Sequence, residues 1–249
     1  MADDTTIVEE RVTQLLEELD PRSVSVEEFR DRGVTADALV NYLALVGWSY
    51  DDHTTYMTRA ELVERFTLER VNRSPGVFDP EKLEWLNGEH LRAMPAAEFV
   101  AALQGYLEAS GSALAAQPDR VAQAAPLVQE KMRVLQQFER LAGFLFGSPE
   151  RDAAAWERVR GDERAPASLR AAREGLAAVA DWRAEGIEAA LHAACEREGT
   201  KPRVLFMPIR VALTGSTVSP GLYESLELVG RDESLRRLDA ALAELSVRS

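Results

Sequence analysis

Chemistry needs nucleophiles, bases or metal ligands at fixed spacings, and this chain offers few. Its histidines are His53, His90 and His192, and its one cysteine is Cys195. His192 and Cys195 stand three residues apart in a helical pattern, which puts both on one face. A Cys–His dyad is one reading, and inert packing of a half-buried cysteine is the other and more frequent one. No H-E-x-x-H, C-x-x-C or H-x-x-x-H spacing occurs, so neither a metal nor a metal cofactor is expected. The stretch LTGSTVSPGLYE (213–224) resembles a ligand-gripping loop that runs into a helix. It is not a phosphate-binding P-loop, because no Lys-Ser/Thr follows Gly221 to reach the phosphates. No G-x-S-x-G elbow is present. The many carboxylates lie scattered on expected helix exteriors, where a solvated face is the default. No active site assembles from these residues.

The net charge is −13, which argues against non-specific nucleic-acid binding, since that depends on Lys and Arg neutralising phosphates. Against this background, Thr200 to Tyr223 carries Lys201, Arg203 and Arg210 and no acid. That window is either a basic face or a buried apolar segment. No apolar run reaches the roughly 18 residues that span a bilayer. The acidic MADDTTIVEE start lacks a signal-peptide pattern, and a single cysteine permits no intrachain disulfide. A cytoplasmic location is expected, with no membrane association.

The elements that must position any site are helical almost throughout. Thr6 with Glu9 forms a capping box, and Ile7, Val8, Val12, Leu15, Leu16 and Leu19 form an apolar stripe. Ser25 with Glu28 opens a short helix that Gly33 ends. Thr35 caps a helix that Gly47 stops. Thr58 with Glu61 is a third box, and Asp79–Pro80 reads as N-cap and first helical residue. Residues 96–109 form an amphipathic helix, and SGSALAAQ a loop or loose connection. Val128, Met132, Leu135, Phe138, Leu141 and Leu145 recur every three or four residues and predict one long helix over 121–146. Helices follow at 166–182 and 185–198. RVLFMPIRVALTG reads as a short strand, or as a buried extended or helical passage because of Pro208. ESLRRLDAALAEL ends the chain as an amphipathic helix. Trp48, Phe66, Phe78 and Trp85 read as core.

Two stretches carry a family resemblance. SVSVEEFRDRGVTADALVNYLALVGWS (23–49), continued by residues 62–92, resembles bacterial glutamyl-tRNA synthetases just after their catalytic domain. MPIRVALTGSTVSPGLYESLELVGRDESLRRLDAAL (207–242) resembles the end of their anticodon-binding domain. The resemblance covers about residues 22–249, with LVQEKMRVLQQF (127–138) the most recognisable part of the middle. It implies a mainly α fold: a multi-helix anticodon-binding cage of the class I type, preceded by a small helical stem-contact region. The implied division is an amphipathic helix at 1–20, the stem-contact region at 22–94 and the anticodon-binding region at 95–249, in two subdomains meeting near 150–165. The family's H-x-G-H signature is absent. The place of its lysine-rich loop reads LLEELDPRS, without the cations that adenylate formation needs.

The resemblance therefore implies a module that reads the glutamate-tRNA anticodon without an aminoacylation site of its own. Arg210 matches a base-contacting arginine, for which a planar charged fork is suited; structurally, it could equally cap neighbouring carbonyls. Ser219, Pro220 and Leu222 match further anticodon contacts. Ser219 and Pro220 also suit an N-cap and first helical residue, and Leu222 lies either against a base or in the core. Lys131 stands where the family commonly has an arginine for the third anticodon base, keeping the charge and losing the fork. Arg73, Lys82 and Arg92 are candidates for the tRNA backbone. Two other readings stay open. One is a regulatory or protein-interaction paralogue that docks through residues 7–19; the other is a piece of a full-length glutamate-tRNA ligase.

Overall fold

The computed structural model describes residues 25–71 and 78–246. The Thr6–Glu9 box, the stripe at 7–19 and Arg73 lie outside them. Every regular element among the described residues is helical, with no strand. The described residues divide into two units: those up to Pro95 together with Met132–Gln136, and Ala96–Lys131 together with those from Gln137.

The first unit is built on four capped helices. Ser25 Oγ accepts from the Glu28 amide at 3.1 Å and starts α1 (Val26–Asp31). Thr35 caps α2 (Ala36–Leu45), and the reciprocal Thr58–Glu61 box starts α3 (Arg59–Arg65). Asp79 caps α4 (Pro80–Ala93), with Pro80 at the position where a missing N–H costs nothing. Each cap is worth about 1 kcal/mol. The helices close over Phe29, Tyr42, Leu83 and Leu86, with Phe78 edge-on to Tyr42 at 5.4 Å. Trp48, Met57 and Leu62 form a second cluster. Phe66 and Trp85, expected in the core, are each 40% exposed, while Trp48 is buried.

Two buried asparagines stitch this unit together. Asn41 donates to the Thr55 carbonyl at 3.1 Å and accepts from the Met57 amide at 2.9 Å, which fixes its amide orientation. The same oxygen lies 3.1 Å from His90 Nε2, so that nitrogen must carry the proton. Burial pushes the His90 pKa down, with Asp37 opposing weakly. A His whose folded pKa is depressed binds fewer protons in the native state than in the unfolded one. Stability is therefore full above the unfolded value of about 6.5 and falls as the pH drops through 6.5 toward the folded pKa. Urea midpoints should decline between pH 7 and 5.5, and a His90→Gln variant should flatten that slope; an unchanged slope would refute the assignment.

Asn87 accepts from the Thr35 amide at 2.8 Å and donates to the Arg133 carbonyl at 2.5 Å. The Leu135 amide bonds the Gly33 carbonyl at 3.1 Å, and the Gln136 amide the Arg32 carbonyl at 3.3 Å. These bonds replace the long helix expected over 121–146. Its apolar positions are all buried, but they serve two cores, and helical backbone gives way where Met132–Gln136 joins the first unit.

The second unit comprises α5 (Ala96–Ala109), α6 (Pro118–Val128), α7 (Gln137–Ala142), α8 (Ala153–Arg160), α9 (Ala165–Ala177), α10 (Ala184–Arg197), α11 (Pro202–Thr214), α12 (Leu222–Val229) and α13 (Arg231–Ser246). Helix α9 packs on α10, α11 and α13. The sequence reading missed α8, which Asp152 starts by accepting from the Ala154 and Ala155 amides. The RVLFMPIRVALTG passage is the helix α11, with Pro208 buried inside it. The apolar residues that suggested a strand are explained by burial on several sides: Leu205, Ile209, Val211 and Leu213 are each fully enclosed.

One buried cation braces this unit. Arg237 of α13, 6% exposed, donates to the carbonyls of Leu213 at 2.7 Å, Phe144 at 3.0 Å and Gly147 at 2.8 Å. Its Nε meets Glu233 at 2.7 Å. The Leu213 carbonyl is one of the orphan acceptors that end a helix, so Arg237 fixes the end of α11, where the loop 215–221 begins.

Candidate nucleic-acid interface

The loop leaves α11 through Gly215, whose φ of 78° is the left-handed region that glycine adopts without strain. The Gly215 carbonyl accepts from the Asp152 amide at 2.9 Å. Thr214 Oγ1 donates back to the Arg210 carbonyl at 2.9 Å and accepts from the Ser216 amide. Helix α12 starts at Leu222, with Gly221 before it and no side-chain cap. Ser219 and Pro220 are therefore not its N-cap and first residue, as their types suggested. The Ser219 hydroxyl is engaged elsewhere and is buried at 3% exposure.

Its partner is Arg210. The guanidinium donates to Ser219 Oγ, to the Pro220 carbonyl at 2.8 Å and to the Ser219 carbonyl at 3.4 Å. Lys131 Nζ donates to the same Ser219 carbonyl. Two cations 79 positions apart in the chain thus converge on one backbone oxygen. Burial and then the Arg210 charge hold the Lys131 pKa below the ordinary lysine range, with Glu224 opposing. Burial likewise lowers that of Arg210, with Tyr223 opposing. A pair of like charges held together against these costs is an arrangement suited to an anionic or electron-rich ligand.

The structure thus gathers Lys131, Arg210, Ser219 and Pro220 at one place. Leu222 is 4% exposed and belongs to the core. In the first unit, Lys82 lies exposed on the first turn of α4. Arg92, near its end, is paired with Glu89. The two stand about 15 Å apart along the axis. Sequence reading missed a group of rings near Arg210: His192, Phe206 and Tyr223 meet with centroids 5.7 to 6.4 Å apart. The i, i+4 spacing of Phe206 and Arg210 was the only local signal.

No catalytic dyad forms at His192. Its Nε2 lies 3.3 Å from the Tyr223 hydroxyl and 3.8 Å from Glu188. Cys195 is buried, and burial pushes its thiol pKa up, the wrong direction for a nucleophile. Among the described residues no group of three His, Cys, Asp or Glu is placed to hold a metal. No described helix is long and apolar enough to cross a membrane.

Residues 98–242 match the family described as anticodon binding domain. Residues 11–85 match the family described as tRNA synthetases class I (E and Q), catalytic domain. The glutamate–tRNA ligase of Saccharopolyspora erythraea is 43% identical over 235 residues, 91% of this chain and 46% of that protein. The one from Mycolicibacterium paratuberculosis is 44% identical over 231 residues, 92% of this chain and 46% of that protein. The chain spans about half the length of these curated relatives. The crystal structure of a glutamate tRNA ligase from Elizabethkingia meningosepticum superposes with a TM-score of 0.74 over 87% of this chain and 43% of that one. At 22% identity this last likeness is one of fold.

Proposed function

We propose that this chain, which belongs to the anticodon-binding domain family, binds glutamate-accepting tRNA and reads its anticodon without an aminoacylation site of its own. The observation that carries the reading is the convergence of Lys131 and Arg210 on the 219–220 loop. Phosphate contacts would place the RNA, and base-edge contacts would identify it. Arg210 supplies the planar fork for a base edge, already aimed by three bonds to the loop. Lys131 supplies charge toward the third anticodon base. Leu222, which is buried at the start of α12, supports the loop from the core rather than meeting a base. Residues 22–94 act as the stem-contact region, with Lys82, Arg92 and Arg73 toward the backbone. Residues 95–249 form the anticodon-binding region in two subdomains. The same reading puts the chain in the cytoplasm.

The test is a titration at stated salt with tRNA-Glu and with the same tRNA carrying another anticodon. Tighter binding of the first is expected, and Arg210→Ala should cost about 1–3 kcal/mol while narrowing the difference. Equal and negligible binding of both would refute the proposal.

A second reading, that the chain is a portion of a full-length glutamate-tRNA ligase, draws on its spanning 46% of the relatives' length. Aminoacylation appearing only when a catalytic domain is supplied would favour it. The match to the catalytic-domain family begins at residue 11, inside the 7–19 stripe.

A further inference from the structure

Arg203, Phe206 and Arg210 recur at i, i+3 and i+7 along α11 and so share one face of the helix. The two arginines stand about 10 Å apart along the axis, with the ring between them. Tyr223, at the start of α12, meets Phe206 edge-to-face at 5.9 Å. His192, on α10, meets Phe206 at 5.7 Å and Tyr223 at 6.4 Å. Three helices thus bring three rings beside the cationic loop. Arg203 and His192 are exposed, and Phe206 and Tyr223 are half-buried. The packing of α11 does not depend on this cluster alone, since Leu205 and Ile209 fill the core behind it.

We infer that Phe206, Tyr223 and His192 form a stacking platform for one unstacked nucleobase, the neighbour of the base met by Arg210, with Arg203 on the adjoining phosphate. The inference rests on the tRNA reading above. Single-stranded nucleic acid is held where cationic side chains track the backbone and aromatic rings meet the bases. The charges around the rings sort these two roles. Glu188 lies 3.8 Å from His192, and Glu224 adjoins Tyr223. Such acids repel a phosphate from the rings while leaving a neutral base face welcome. Arg203, with no acid between Thr200 and Tyr223, offers the phosphate its place. Stacking tolerates any base, so the platform supplies affinity, whereas Arg210 supplies identity.

That division of labour can be measured. The full chain is titrated with anticodon stem-loop RNAs carrying 2-aminopurine at one loop position at a time. For wild type, one position should be quenched on binding. Tyr223→Leu and His192→Leu should remove that quench and weaken binding roughly 5- to 100-fold, by the same factor for cognate and changed anticodons. Tyr223→Phe should keep both properties. Arg203→Ala should lower the slope of log affinity against log salt by about one. Phe206 also supports α11, so the readout rests on Tyr223 and His192, with thermal melting to show that each variant is folded. If the RNA binds with its Arg210-dependent preference but no probe position responds to Tyr223 or His192, the platform is refuted and the tRNA reading stands. If neither RNA binds, the tRNA reading falls and takes the platform with it.

Discussion

Replacing Arg237 with alanine is expected to lower the stability of the second unit by about 3–5 kcal/mol, the cost of breaking a buried charge network by removing one partner. Three carbonyls, of Leu213, Phe144 and Gly147, would lose their donor at once, and a buried acceptor left unmatched costs about 1–3 kcal/mol. Arg237→Lys restores a charge but cannot reach three acceptors in different directions, so it should recover only part of the loss. Urea unfolding followed by tryptophan fluorescence checks this, and a loss below about 1 kcal/mol would show that water replaces the guanidinium. The partner carboxylate adds a pH signature. The Arg236 hydrogen bond, then Arg237, hold the Glu233 pKa down to about 2 against the opposing effect of burial. A depressed carboxylate stabilises above its unfolded pKa of about 4.5, and that contribution is lost as the pH falls from there toward 2. Glu233 is partly exposed, at 34%, so solvent screening keeps its own share small.

The second large effect is expected at Gly215. A β-carbon there would lie 2.1 Å from the Glu150 carbonyl oxygen, a backbone atom that cannot swing aside, and the φ of 78° disfavours any side chain. Gly215→Ala should cost about 2–5 kcal/mol, from left-handed strain and forced backbone movement together. Gly111 separates these causes, because its φ is 69° yet nothing lies within 4 Å of a β-carbon there. Gly111→Ala should therefore cost only about 1 kcal/mol. Equal losses at the two positions would mean that the contact with Glu150 relaxes freely. Because Gly215 opens the loop that meets Arg210 and Lys131, its alanine variant should also weaken the proposed tRNA binding beyond what its stability explains.

Local signals in the sequence were readable where the physics is local. The caps at Ser25, Thr35, Thr58 and Asp79 bond to backbone three residues away, and each was legible from residue type and spacing. The expected helix over 121–146 failed for the opposite reason. Its periodicity was real, but the bond from Leu135 to Gly33 joins residues about 100 positions apart and that from Asn87 to Arg133 residues 46 apart, and no local pattern announces them. Ser219 shows the same limit within the site. By type it is an N-cap, but a guanidinium from α11 reaches it first, and α12 starts two residues later than Pro220 suggested. Arg210 stood out in an acid-free window, but its pairing with Lys131 was legible only through family resemblance. The ring cluster was invisible because His192, Phe206 and Tyr223 belong to three separate helices.

The strap Met132–Gln136 has a consequence for how the protein is made. Residues up to Pro95 leave the ribosome first, but the unit they belong to stays incomplete until Gln136 has emerged. Until then the Gly33 carbonyl lacks its Leu135 donor and the Asn87 amide its Arg133 acceptor, which leaves their mutual bond at 3.5 Å. At about 5–20 residues per second this delay is on the order of a few seconds. During it, Met132, Val134 and Leu135, all buried in the finished protein, have yet to join the unit they complete.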